Sequence, residues 1–423
     1  MFSQKKATYV IAITFSLLGL TKAGDALAGE VFKGKVGESN LRSKQLIEGI
    51  YSDNIDAAIL LQQGLREYNR KNYQNAAVAL RKALTFDPSI AMAHYLLGNT
   101  LAELGDLPGA VNEYLVTINL QPSLPEVYYN HAVALSKLGR LDEAINQYQY
   151  ALSFNPSLAD AYYNIGLILE SQGKVDAAIA QYQQAIKINP SYAAAQYNLG
   201  LLYLKQEQTE PALTAFQQAV KSDPNFAPAH YQLGLLLALK NDLNAAKTSL
   251  NKAVGLNQGL TQAQYGLGVV LAQQGDYKAA IGRLEQAIKQ DPKNANAYQQ
   301  LGTVLTQRGD YKGAIATFKQ AIRLSPDDAL THYNLAVALH REKQLPEAIA
   351  EYKEAIVLNP NLADAFYNLG LALQQSNQRQ DAISFLTEAR VLFNKQGNQE
   401  KTEQVDLFLQ RLALPTTPAL PQK

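Results

Sequence analysis

Five histidines are the side chains best suited to metal binding or proton transfer in this 423-residue sequence, which contains no cysteine. His94, His230 and His332 are separated by 136 and 102 residues, four and three times a period of 34. A metal ion holds its ligands at about 2 Å, so residues set in separate stacked units cannot share one. The spacing therefore points to a repeated structural role, with histidine standing where other units carry an aromatic packing residue. His131 and His340 are likewise isolated from one another. Gly266-Leu267-Gly268 has part of the spacing of a dinucleotide loop, but it lies inside a predicted helix and no strand pattern precedes it. Missing cysteine removes disulfides, thiolate metal sites and cysteine nucleophiles. There is no phosphate loop, metalloprotease helix or nucleophile elbow. The expectation is no catalytic residue, no metal and no cofactor.

Charge narrows the partners. Thirty-eight basic residues face 37 acidic ones, a formal charge of +1, which argues against nucleic acid or an anionic membrane held by bulk charge. With 47% hydrophobic and 18% charged residues, the chain can bury a large core. Tyrosine (24) outnumbers phenylalanine (12) and tryptophan is absent, an aromatic set suited to half-buried surfaces with a polar tip. Length alone would suggest two or three domains.

The repeat period overrides that count. Proline stands at 88, 122, 156, 190, 224, 292, 326 and 360, always 34 apart except for one gap of 68 centred on Gln258. Alanines at 76, 110, 144, 178, 212, 246, 280, 314, 348 and 382 keep the same step without a break. Glycines at 64, 98, 166, 200, 234, 268, 302 and 370 do so too, with Ala132 and Ala336 in the missing slots. Ten units therefore run over 57–396. In the unit 159–192, Tyr162, Ile165, Gly166 and Leu169 share one helical face, and Ala178, Tyr182, Ala185 and Ile186 share a second. Gly173 stands where the first helix needs a left-handed end, a place also held by Gly105, Gly139, Gly275, Gly309, Asn241 and Asn377. Pro190 then ends the unit. Each unit reads as a helical hairpin that must stack on its neighbours to bury its apolar stripe.

Counting places from the start of each unit, the pattern is aromatic at 4, Gly at 8, Ala at 20, aromatic at 24, Ala at 27 and Pro at 32. This resembles the tetratricopeptide repeat, and the unit carrying Tyr162, Gly166, Ala178, Tyr182, Ala185 and Pro190 departs from it only at Leu169, where tyrosine is usual. The resemblance implies an all-α, right-handed α-solenoid superhelix of about ten 34-residue helix-turn-helix repeats whose first helices line a concave groove. It also implies partners that are other proteins, bound through extended or helical segments. Chaperone-docking members of the family grip a C-terminal carboxylate with basic residues at places 2, 5 and 6. Here place 5 is tyrosine and place 2 carries Glu126, Asp160 and Asp364, so no such docking is expected. Lys137, Lys205 and Arg341 at place 13 are too scattered to rebuild it.

At about 100° per residue, places 4, 8 and 11 share one sector of the first helix, while places 2, 6, 9 and 13 fall opposite and place 5 flanks them. Place 6 reads Asn130, Asn164, Asn198, Gln232, Gln300, Asn334 and Asn368, and place 5 includes Tyr129, Tyr163, Tyr197 and Tyr231. A carboxamide offers both donor and acceptor to a peptide group, so these residues form the candidate peptide-binding groove. The arrangement resembles the asparagine ladder with which O-linked N-acetylglucosamine transferases hold substrate proteins. The amides equally suit contacts between helices, and tyrosine at place 5 suits packing.

Outside the array, Lys5 and Lys6, the apolar stretch 7–20 and Ala26-Leu27-Ala28 form the three parts of a secretory signal, so residues 1–28 are expected to be removed near Gly29. Residues 29–56 read as a leader with a half-repeat near 41–50, residues 397–414 as a capping helix and 415–423 as a Pro-rich tail. The expectation is an exported, periplasmic or secreted non-catalytic scaffold for envelope or exported-protein assembly. Alternatives are a recruiting subunit for a separate enzyme such as a glycosyltransferase, since the 27 residues after Gln396 hold no catalytic domain, or an assembly factor anchored by an uncleaved signal.

Overall fold

The computed structural model describes residues 52–413, which form 21 α-helices and, among the described residues, no strand. The signal, leader, half-repeat and Pro-rich tail inferred above lie outside the described residues. The chain divides into two compact units, residues 1–229 and 230–423, the boundary falling within the helix Ala227–Leu239.

Local chemistry sets each hairpin. In the repeat 159–192, helix Ala159–Ser171 ends at Gly173, whose φ is +73°, and helix Val175–Ile188 follows directly. The same left-handed residue recurs in every repeat, but it is glycine in only five. Asn241 and Asn377 were legible as substitutes, whereas Lys71, Glu207 and Lys343 take φ values of 61–63° with no local signal for it. A side chain there costs about 1 kcal/mol or more, so Glu207→Gly is expected to stabilise by about that amount. A lower urea midpoint for that variant would contradict this. Aspartate after the turn residue starts the second helix: Asp106, Asp242, Asp276 and Asp310 accept from backbone N–H groups three residues on, at 2.9–3.1 Å. At the repeat's end, Asn155, Asn189, Asp223 and Asn359 accept from the N–H two residues ahead, across the proline. Gln258 loses the proline but not the turn, because Asn257 still accepts from the Gly259 N–H at 3.0 Å.

The core is a seam inside each repeat. Tyr114, Tyr148, Tyr182 and Phe216 at place 24 of the first compact unit are essentially inaccessible, as is Phe318 in the second. Glycine at place 8 makes room for them. A Cβ on Gly166 would come within 2.5 Å of Tyr182 Cε1, and one on Gly302 within 2.6 Å of Phe318 Cε1. Between repeats, place 3 is sealed by the preceding hairpin: Ala93, Val127, Ala161 and Ala195 are 0% exposed. Ile59, the same place in the first repeat, is 54% exposed. In the second compact unit, helix Gln399–Ala413 closes the last repeat with Val405, Phe408 and Leu412 against Leu386 and Phe393. Lys401 secures it by pairing with Asp364 at 2.5 Å and lying 5.0 Å from the Phe393 ring centre.

Candidate peptide-binding face

The place-6 amides do not stand free on an open surface. Asn130, Asn164 and Gln300 are half-buried, whereas Asn198, Gln232, Asn334 and Asn368 are buried. Consecutive first helices pack against one another, and four of the seven amides reach back one repeat. Asn130 Nδ2 donates to Tyr95 Oη at 3.0 Å and to Asn99 Oδ1 at 2.9 Å. Asn164 Nδ2 donates to Tyr129 Oη at 3.1 Å, and Asn198 Nδ2 to Tyr163 Oη at 3.3 Å. In the second compact unit, Asn368 Nδ2 donates to Tyr333 Oη at 2.9 Å. The separation is 35 residues each time, so places 5 and 6 are one interacting pair across the repeat boundary.

The tyrosines are seam residues with polar tips. Tyr163 and Tyr197 are buried and Tyr129 half-buried, with Tyr163 4.9 Å from the Tyr192 ring and Tyr129 5.5 Å from the Tyr148 ring. Tyr231 is buried at the start of the second compact unit. Burial pushes the Tyr129 hydroxyl up to about 12, with Asp160 adding to it, so it stays protonated. Asn130, Asn164, Asn198 and Asn368 thus commit their nitrogens to the preceding repeat, while the Oδ1 atoms of Asn130 and Asn164 accept no hydrogen bond from the described residues. Beside them on the same helical faces, Val133, Leu167 and Leu201 are half-buried and Lys137, Ser171 and Lys205 exposed. Gln300 and Asn334 sit at the equivalent place in the second compact unit. Gln232 is fully buried, and neither amide atom has a partner among the described residues.

Place 4 does something that composition did not reveal. Tyr128 Oη, Gln196 Nε2 and His332 Nε2 all approach the carbonyl of the proline six residues earlier, at 2.9, 2.8 and 2.9 Å, and His94 Nε2 does so at 3.1 Å. Histidine here is therefore a polar clasp as well as an aromatic stand-in. The signal was Gln196, which fits a donor role and not an aromatic one. His131 lies elsewhere, at place 7, where the other nine repeats carry Gln63 or a buried leucine or isoleucine. Burial pushes its imidazole down to about 4, with Arg140 adding to this, and its Nδ1 has no partner among the described residues. A depressed folded value means stability that is present above pH 6.5 and lost as pH falls towards 4, a loss on the order of 2–3 kcal/mol. His131→Leu is expected to abolish that acid loss and to raise the melting temperature at pH 7. An unchanged pH profile would contradict this.

Among the described residues, no group of three His, Asp or Glu side chains is placed to hold a metal ion, and no helix is long and apolar enough to cross a membrane. Two family models match the chain. Residues 98–139 and 134–173 match the family described as TPR repeat. These hairpins are tetratricopeptide repeats. Residues 157–366 also match the family described as the C-terminal domain of cilia and flagella-associated protein 70. Solved structures similar to this chain include YrrB, described as a TPR protein with an unusual peptide-binding site. It is 28% identical, with a TM-score of 0.42, over 46% of this chain and 97% of that one. MamA is 28% identical over 39% of this chain and 96% of its own, with a TM-score of 0.37. Yeast Tom70 is 16% identical over 84% and 95%, with a TM-score of 0.39. No curated protein matches the sequence.

Proposed function

We propose that this tetratricopeptide-repeat chain is a non-catalytic scaffold that holds extended segments of other proteins along its first helices, and that it works outside the cytoplasm. The observation that carries the reading is the half-exposed amide row at Asn130 and Asn164, with nitrogens tied inward and oxygens unpaired, flanked by Val133, Leu167 and Leu201. Carboxamide oxygens accept hydrogen bonds, so the guest must offer N–H donors. A polypeptide backbone does this whatever its sequence. Packed helices lie about 8–10 Å apart, and three residues of polyproline-II chain span about 9 Å. A guest in that conformation would meet one amide oxygen at every third N–H.

A photo-reactive residue at exposed Ser171, on this face, is expected to crosslink protein segments in intact cells. The same residue at exposed Gln149, on a second helix, is expected to give little. Equal crosslinking from both positions would sink the reading. Placement outside the cytoplasm is supported by Lys5, Lys6, the apolar stretch 7–20 and Ala26-Leu27-Ala28. The intact mass of purified protein should correspond to a chain beginning at Gly29, and a chain retaining Met1 would overturn cleavage.

A further inference from the structure

The place-4 histidines carry more than the clasp shared with Tyr128 and Gln196. His94 Nδ1 lies 2.6 Å from Glu113 Oε2, on the second helix Leu107–Leu120, while its Nε2 faces the Pro88 carbonyl at 3.1 Å. His332 repeats this in the second compact unit, with Glu351 at 2.6 Å and the Pro326 carbonyl at 2.9 Å. The sequence separations are the same, 19 and 6 residues, so one geometry is built twice. At His230 the residue 19 positions on is Ser249.

Both nitrogens of His94 face acceptors. A neutral imidazole has one N–H and would set a lone pair against either a carboxylate or a carbonyl, whereas an imidazolium donates to both. Pro88 follows the C-terminus of helix Tyr73–Phe86, where the macrodipole also favours a cation. Glu113 is the charged group facing His94 from the second helix, and the Pro88 turn contributes only its carbonyl. We propose that His94, Glu113 and the Pro88 carbonyl form a proton-dependent clasp that ties a repeat to the turn of the one before it and slackens as the surroundings turn alkaline. Protonated, the ring links three elements: the terminal turn of one repeat and both helices of the next. On deprotonation one of the two links becomes a repulsion. The sign agrees with the electrostatics: burial lowers the imidazole's value, but the Glu113 and Pro88 hydrogen bonds outweigh it, and the net shift is upward. A raised folded value gives stability that is full below pH 6.5 and lost as pH rises through the folded value.

The test uses the full chain and two variants. His94→Gln keeps a donor for the Pro88 carbonyl, as Gln196 does for Pro190 at 2.8 Å, but cannot titrate. Glu113→Gln keeps the ring and removes the carboxylate. Long-range nitrogen–proton spectra of the imidazoles should show His94 with both nitrogens protonated at pH 6.5, and its titration should shift downward in Glu113→Gln. The thermal midpoint of the wild type should fall between pH 6.5 and 8.5, and that fall should be smaller in His94→Gln. A neutral His94 at pH 6.5, or a midpoint fall unchanged in His94→Gln, overturns the proposal. If His94→Gln does not fold, the Glu113→Gln titration decides alone.

Discussion

Replacing Tyr182 with alanine is expected to cost about 3–5 kcal/mol, the range for removing a fully buried aromatic ring. The ring is 0% exposed, fills the space that Gly166 leaves open, and lies 5.7 Å from the Tyr163 ring. Its hydroxyl donates to Glu170 Oε2 at 2.6 Å. Ala178 and Ala185 in the same cluster carry only methyl groups and cannot refill the space. In a solenoid the loss falls on one hairpin and its two interfaces, so amide exchange should accelerate first in helices Ala159–Ser171 and Val175–Ile188. Tyr182→Phe removes only the hydroxyl's bonds, to Glu170 and from Asn198 Nδ2, and should cost about 1–2 kcal/mol. A loss below about 1 kcal/mol for the alanine variant, by urea denaturation, would mean that the glycine–aromatic seam is not what holds a repeat together.

The second large effect concerns the amide row. Changing Asn130, Asn164 and Asn198 together to alanine removes their bonds to Tyr95, Asn99, Tyr129 and Tyr163, and at about 0.5–1.5 kcal/mol for each broken link should destabilise by about 2–6 kcal/mol. Tyr95, Tyr129 and Tyr163 changed together to phenylalanine break only the tyrosine links, leaving Asn130 bonded to Asn99 Oδ1 at 2.9 Å and Asn198 Nδ2 3.5 Å from Tyr182 Oη. The phenylalanine variant should therefore lose less stability than the alanine variant, by one further link or about 0.5–1.5 kcal/mol. A triple alanine variant as stable as the wild type would show that these bonds contribute nothing, and that the row has no part in repeat stacking.

The fold was legible because a 34-residue period makes every structural requirement visible ten times. Glycine at 166 and 302 declared a close approach, Pro190 declared an end, and the alanine ladder from 76 to 382 declared the narrow side of a seam. What single positions require was less legible. Glu207 and Lys343 adopt a left-handed backbone because the flanking helices impose it, and no local signal marks them. The division of the chain at residue 229 has no counterpart in the period, which runs through it unbroken.

Places 5 and 6 were both legible as candidate groove residues, with packing between helices as the other reading of each. Their pairing depends on how the next repeat stacks, a fact that spacing along one helix cannot carry. The outcome changes the chemistry of the face. An amide with a committed nitrogen no longer offers a two-way match to a peptide group. It offers an acceptor, held in place by the tyrosine of the repeat before.

Binding by the two triple variants separates structural from ligand-binding roles most directly. The probe is a synthetic peptide of the segment that crosslinks to position 171, titrated into each purified chain at a temperature where all remain folded. The phenylalanine variant is expected to bind within a few-fold of the wild type, while the Asn130, Asn164 and Asn198 alanine variant binds at least tenfold more weakly. Equal affinity for the alanine variant and the wild type would contradict the account, leaving the amide row as a fastening between repeats and nothing more.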